Sequence, residues 1–337
     1  MDKYELPTGY LLVDDYSKGK LETLTIGDYG KKANVKANFL GYNSEIQGVA
    51  NQPCMPLSEK WVMTLSTQYG CVMKCNFCDV PNVPFRGNAS VEDMHKQILN
   101  AASMFPNVGY TERLNIHYAR MGDPIFNNAV FDLTEELYHN KAHLPMRVEV
   151  LHPVLTTSLP AALKSLEGRL QRWCSIKNDL YNGQAGLQIS VNTTDEAKRT
   201  EMFGGMSLTL EEFAAIADKL PVPIGRKYCL NFAYASGNEV DGAYLATLFD
   251  PEKFMCKVTP IHNNNACIEN GIETISGYDS YLPYKYPEEE LMSAGFDTLV
   301  FIPSLDEEDG LVTCGNAILG DSKLKLSNPK LSIEGQV

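Results

Sequence analysis

The run Gly70-Cys71-Val72-Met73-Lys74-Cys75-Asn76-Phe77-Cys78 sets three cysteines in a C-x-x-x-C-x-x-C loop, just after the apolar stretch Trp61-Val62-Met63-Thr64-Leu65. Three thiolates on one short loop can hold a [4Fe-4S] cluster at three of its irons, which leaves the fourth iron without a protein ligand. The competing use of such a loop is half a zinc site, and that needs a second ligand pair. Cys256 and Cys267 are too widely spaced to be that pair, and Cys174 and Cys229 stand alone. His139-x-x-x-His143 has ligand spacing but lies far beyond the gap a zinc finger spans. Cys71, Cys75 and Cys78 are therefore read as cluster ligands.

Outward from this loop, strand-like runs alternate with helical periods. Leu114 to Tyr118, Arg147 to Leu151, Leu187 to Val191, Tyr228 to Tyr234, Cys256 to Ile261 and Thr298 to Ile302 read as strands. Helices are expected over Val91 to Phe105, Ala129 to Asn140, Leu159 to Trp173, Leu208 to Leu220, Gly242 to Phe249 and Pro287 to Ala294, with Ser90 and Thr209 as N-caps. Repeated β-α units imply an α/β fold, a partial (β/α)6 TIM-type barrel over residues 61–305, with its chemistry at the C-terminal strand ends. The cysteine loop follows the first of those strands. Residues 1–60 read as an added β element, with Lys20 to Ile26 and Asn34 to Leu40 joined as a hairpin through Gly27-Asp28-Tyr29-Gly30. Residues 306–337 read as a C-terminal loop and tail, and Asp306, Glu307, Glu308 and Asp309 as a solvated, mobile stretch.

Composition narrows the class further. The formal net charge is −13, with 44% apolar and 21% charged residues, as in soluble globular chains. No stretch has the length to span a bilayer, and Met1 to Glu5 has no apolar signal core, so a cytoplasmic setting with reduced cysteines is expected. The acidic balance disfavours a long footprint on phosphate backbones.

The cysteine spacing resembles the signature of radical SAM enzymes, in which S-adenosylmethionine (SAM) occupies the open iron. Further motifs resemble the RlmN/Cfr family, which methylates an adenine ring carbon in RNA. Ser66-Thr67-Gln68-Tyr69-Gly70-Cys71 is similar to that family's lead-in, and Phe85 and Asn88 to its continuation. Met121-Gly122-Asp123-Pro124 is similar to the family's Met-Gly-Glu-Pro, which implies that Gly122 and Asp123 contact the SAM amino group. Ser190-Val191-Asn192 stands where the family has Ser-Leu-His, and Asn264 where it brings a SAM-binding asparagine. Asp309 to Asn316, followed by Gly320-Asp321, is similar to the segment bearing the methyl-accepting cysteine, which implies that role for Cys314. Glu22 lines up with a glutamate that accepts a proton, a role needing hydrogen-bond reach of the substrate.

The resemblance implies that the cysteine carries a methyl group from one SAM, and that a radical from a second SAM takes a hydrogen from it before it adds to an sp2 carbon. It also implies a nucleobase-containing substrate, in RNA or a small nucleotide, and an external electron donor such as flavodoxin or ferredoxin. Two departures stand out. The family's resolving cysteine is replaced by Thr64, which forms no disulfide; Cys54 is the nearest upstream thiol, and its service depends on reaching the barrel mouth. The resemblance also begins close to the start of the sequence, near Glu22, so the family's N-terminal RNA-binding domain is expected to be missing. A radical SAM dehydrogenase, mutase or other small-molecule tailoring enzyme is the alternative on this scaffold, and a cluster-based redox sensor is the non-enzymatic one. His117 and His152, at strand positions, are as well explained as hydrogen-bonded core histidines as by catalysis.

Overall fold

Period-two alternation makes each barrel strand two-faced: Leu230 and Phe232 pack outward beneath helices, while Cys229 and Asn231, alternating with them, face the lumen. The computed structural model describes residues 1–29, 34–43, 54–275, 278, 280–313 and 315–323. In chain order its strands and helices begin with β1 (Asp2–Leu6), β2 (Gly9–Tyr16), β3 (Gly19–Ile26), β4 (Val35–Ala37), β5 (Tyr42–Asn43) and β6 (Lys60–Leu65). The short pair β7 (Gln68–Tyr69) and β8 (Gly87–Asn88) brackets the cysteine loop. Then follow α1 (Val91–Ser103), β9 (Tyr110–Tyr118), α2 (Asn128–His139), β10 (Arg147–Thr157), α3 (Leu166–Ser175), β11 (Gly186–Ser190), α4 (Glu196–Met202) and α5 (Leu210–Ala217). The chain continues through β12 (Tyr228–Tyr234), α6 (Gly242–Leu248), β13 (Phe254–Pro260), α7 (Asn265–Glu269), α8 (Lys285–Ser293), β14 (Thr298–Phe301) and α9 (Leu305–Asp309).

The principal sheet runs β1-β2-β3-β6-β9-β10-β11-β12-β13-β14-β4-β5. From β6 to β14 every pairing is parallel, joined by six β-α crossovers, as the alternation of strand and helix signals implies. Two of the expected helix starts carry full capping boxes: Ser90 with Asp93, and Thr209 with Glu212, each worth about 1 kcal/mol. The main core lies between sheet and helices and includes the buried Trp61, Trp173, Phe131, Tyr118 and Phe213.

Three expectations are corrected. The two N-terminal strands do not form a hairpin: β3 pairs antiparallel with β2 and β6, while β4 pairs with β14 at the opposite edge of the sheet. Both edges of the parallel sheet are thereby covered, which removes unpaired backbone that would otherwise invite aggregation. The helix expected over Leu159 to Trp173 starts only at Leu166, because Leu159 adopts φ 58° and residues 159–161 bond along 206–208 instead. The acidic run is not a solvated loop. It forms α9, whose capping box joins Ser304 and Glu307, and Glu308 turns inward to accept from Asn263 N at 3.1 Å and to pair with His262.

Candidate active site

Strand β6 delivers the chain to the C-terminal rim of the barrel, where Ser66, Thr67 and Gln68 are buried and bonded in place. Gln97 of α1 brackets Ser66, accepting from its backbone N–H at 2.8 Å and donating to its carbonyl at 2.9 Å. The Thr67 and Gln68 N–H groups both donate to Met121 O, which draws the loop after β9 against the loop after β6. That approach leaves no room at Gly122. Its φ is 89°, and a Cβ there would lie 2.4 Å from the Gln68 side chain.

Cys71, Cys75 and Cys78 are each partly buried and unbridged. Burial and the Asp123 carboxylate push the Cys71 thiol up to about 11; burial and the neighbouring sulfurs raise Cys75 and Cys78 further. The three thiols therefore share one electrostatic neighbourhood, with Asp123 in it. The loop is fixed from outside by Asn76, which donates from its backbone to Met202 O at 2.8 Å and from its side chain to Glu201 O at 2.9 Å. Phe77 packs edge-on against Phe203. Among the described residues, no three His, Cys, Asp or Glu side chains are gathered closely enough to hold a single metal ion.

Asp123 is buried. Its Oδ2 accepts from Thr157 Oγ1 at 3.1 Å and Ser158 N at 2.7 Å, and its Oδ1 from Ile125 N at 3.1 Å. Burial raises its pKa to about 6 against these bonds. Ser190 lies at the end of β11 on the lumen side. Asn192, just beyond it, is held at φ 68° and accepts from Ala233 N at 3.1 Å, while its buried Nδ2 has no partner. Asn264 caps α7 through Cys267 N, and its Nδ2 donates to Phe77 O at 2.9 Å and Gly315 O at 3.1 Å. It therefore ties the cysteine loop to the C-terminal segment. Asp79 adds to that tie: its N–H donates to Gly315 O at 2.8 Å, and its side chain accepts from Ala266 N and Ser322 Oγ.

Cys314 lies outside the described residues. Glu22 is fully buried, paired with Arg120 at 2.7 Å and accepting from Leu319 N at 2.7 Å. Thr64 lies on the lumen face of β6, level with His117. Cys54 is 2% exposed in the main hydrophobic core, a poor setting for a thiol that must ionise and attack. Sequence reasoning missed Arg120, Ser158 and the buried Arg199, whose guanidinium bonds Ser207 Oγ at 2.9 Å and whose Nε has no partner. Arg120 adjoins a quoted motif; Arg199 sits on a short helix with no motif to mark it.

No family model matches the sequence. Among curated proteins, the chain is 24% identical over 223 residues to a protein of Chlorobium phaeobacteroides named a probable dual-specificity RNA methyltransferase RlmN, covering 64% of this chain and 57% of that one. It is 24% identical over 182 residues to a dual-specificity RNA methyltransferase RlmN of Sorangium cellulosum, covering 53% and 43%. Among solved structures, a radical SAM methyltransferase from Sphaerobacter thermophilus superposes with a TM-score of 0.65 at 16% identity, over 94% of this chain and 79% of that one. The chain is thus similar in sequence to RlmN methyltransferases and shares the fold of a radical SAM methyltransferase. It spans less than two thirds of the length of the curated relatives it matches. A radical SAM fold would call for SAM and a [4Fe-4S] cluster, and the chain's donor set suits them: three thiols on one loop, with the unpartnered Asn192 Nδ2 available to a ligand at the same rim. No helix among the described residues is long and apolar enough to cross a membrane.

Proposed function

We propose that this chain is a radical SAM C-methyltransferase acting on an sp2 carbon of a nucleobase, in RNA or a small nucleotide. The observation that carries the proposal is the meeting of three groups at the C-terminal rim: the three-thiol loop, Asp123 beside it, and Gly315, the neighbour of Cys314, hydrogen-bonded to Asp79 and Asn264. Cys71, Cys75 and Cys78 hold the cluster. Three sulfurs on one loop suit three corners of a cubane, whereas a tetrahedral structural zinc would need a fourth protein donor. When bound, the cluster supplies an electron that cleaves SAM and releases a carbon radical.

The remaining roles fall to the chain's own groups. Gly122 lets the backbone pass close to Gln68, and Asp123, locked by three hydrogen bonds, presents a fixed acceptor for the SAM amino group. Ser190, Asn192 and Asn264 line the same rim as further cofactor contacts. Cys314 carries the methyl group by its place in the C-terminal motif. Glu22 has both carboxylate oxygens engaged, so proton acceptance would require Arg120 or Leu319 N first to release it. An external flavodoxin or ferredoxin supplies the electron.

Thr64, together with the buried Cys54, favours a second reading, a small-molecule tailoring enzyme without cysteine-based transfer. SAM deuterated at its methyl group separates the two. Label on Cys314 and in the product supports methyl transfer; unlabelled Cys314 with full activity in a Cys314→Ala variant removes it.

A further inference from the structure

The lumen-facing side of the barrel wall is rich in cations. Strand alternation turns Lys60 of β6, Arg113, Asn115 and His117 of β9, His152 of β10, Asn231 of β12 and Lys257 of β13 to the inside, while their neighbours Trp61, Leu114, Ile116, Leu230 and Val258 pack outward in the core. Register sets Lys60 beside Arg113, Asn115 beside His152 and Asn231 beside Lys257. Lys60 is answered by Asp28 at 2.5 Å. Neither Arg113 nor Lys257 has an ion pair of its own among the described residues: Asp28, the carboxylate that acts on Arg113, is already bound to Lys60. Arg113 Nε donates to the neutral Asn115 Oδ1 at 2.9 Å, and Lys257 Nζ lies over the Phe301 ring, 5.1 Å from its centroid. Besides Asp28, the carboxylates near Arg113 are Glu112 and Glu149, which lie at the exposed N-terminal rim, where a hollow of about 440 Å3 opens beside it.

Unpaired cations turned into a barrel are costly unless a ligand supplies the missing charge. Two further groups among them are unsatisfied. His152 Nδ1 and Asn231 Oδ1 are buried without partners, and His152 is 3% exposed. The electrostatics agree: His117 is driven down by burial and then by Lys257, Lys60 and Arg113, with Asp28 alone opposing.

We propose that the barrel lumen below the cysteine loop is an oxyanion site, with Arg113 and Lys257 as its charged arms and His152 and Asn231 as its polar walls, and that it anchors the phosphate or carboxylate of a small substrate. This deepens the reading of the chain as a radical SAM enzyme and rests on it for the word substrate. An anionic group held by β9 and β13 sets the rest of the molecule toward the rim, where Asp123 and the three thiols stand. It also gives an acidic chain a local means of binding an anion.

The test uses reconstituted enzyme and three salts at equal ionic strength: inorganic phosphate, acetate and chloride. Phosphate or acetate should raise the melting temperature above that in chloride, and the better of the two names the oxyanion class. Lys257→Met and Arg113→Gln should each weaken that binding about tenfold or more. In chloride, each variant should melt at or above the wild type, because a repelling charge has gone. Equal responses to all three salts, undiminished responses in both variants, or lower melting of both variants in chloride would overturn the proposal. Enzyme that still makes 5′-deoxyadenosine while failing these tests keeps the radical SAM reading and loses the anion site.

Discussion

Arg120 grips one oxygen of Glu22 twice, from Nε at 2.9 Å and Nη2 at 2.7 Å, in a site from which water is excluded. The other oxygen of Glu22 accepts from Leu319 N at 2.7 Å, and Arg120 Nη1 donates to Leu311 O at 2.7 Å. The pair thus pins the C-terminal segment on both sides of residues 312–318 to strand β3 and the loop after β9. A buried ion pair need not add net stability, yet removing one partner leaves the other charge uncompensated.

Glu22→Ala is therefore expected to lower stability by about 3–5 kcal/mol, and Arg120→Met by a similar amount. The double variant Glu22→Met/Arg120→Met should recover most of that loss while leaving the C-terminal segment open to protease. Chemical denaturation and limited proteolysis check both halves. Equal losses that simply add would mean that the two residues act independently.

Acid should unfold the protein partly through His117. Burial, Lys257, Lys60 and Arg113 depress its folded pKa from 6.5 to about 3, with Asp28 opposing and His152 alongside. Below pH 6.5 the unfolded chain takes up a proton that the folded chain refuses, so stability is whole above that value and drains away toward pH 3. His117→Gln should move the acid midpoint of unfolding to lower pH. An unchanged or raised midpoint would show that His117 already titrates normally in the fold.

Gly122→Ala places a Cβ 2.4 Å from Gln68 at φ 89°, which should cost about 1–3 kcal/mol and displace Asp123. The expected result is a lower melting temperature together with SAM affinity weakened tenfold or more. Calorimetric titration of SAM into reconstituted protein measures it, and full affinity would remove Gly122 from the cofactor contact.

Much of this fold was legible in local pattern. Tyr228 to Tyr234 was readable to the residue, because a strand with helices on one side alternates cleanly, and the caps Ser90 and Thr209 follow from side-chain chemistry within one turn. The turn-like Gly27-Asp28-Tyr29-Gly30 misled, since local composition cannot say that β3 and β4 serve opposite edges of one sheet. Strands β1 and β2 went unread: Tyr4-Glu5-Leu6 and Leu11-Leu12-Val13 offer short mixed runs, stabilised by pairing rather than by their own signal. The cysteine loop was visible because its chemistry demands a fixed spacing. The Arg120 pair and the lumen cations were not, because a buried arginine and an exposed one look alike in sequence; only their surroundings distinguish them.

Ser substitution of Cys71, Cys75 or Cys78 should each abolish cluster absorption and bound iron while leaving the far-ultraviolet dichroism near that of the wild type, since the loop's fold rests on Asn76, Asp79 and Asn264. Retention of full iron by any one of these variants would remove that cysteine from the ligand set.

The most direct trial of the cluster-and-SAM reading is anaerobic reconstitution with iron and sulfide, followed by SAM and dithionite, with 5′-deoxyadenosine quantified by chromatography. Wild-type protein should form it, and a Cys75→Ser variant should form none. Iron-loaded wild-type protein that leaves SAM intact under reduction would bring the reading down.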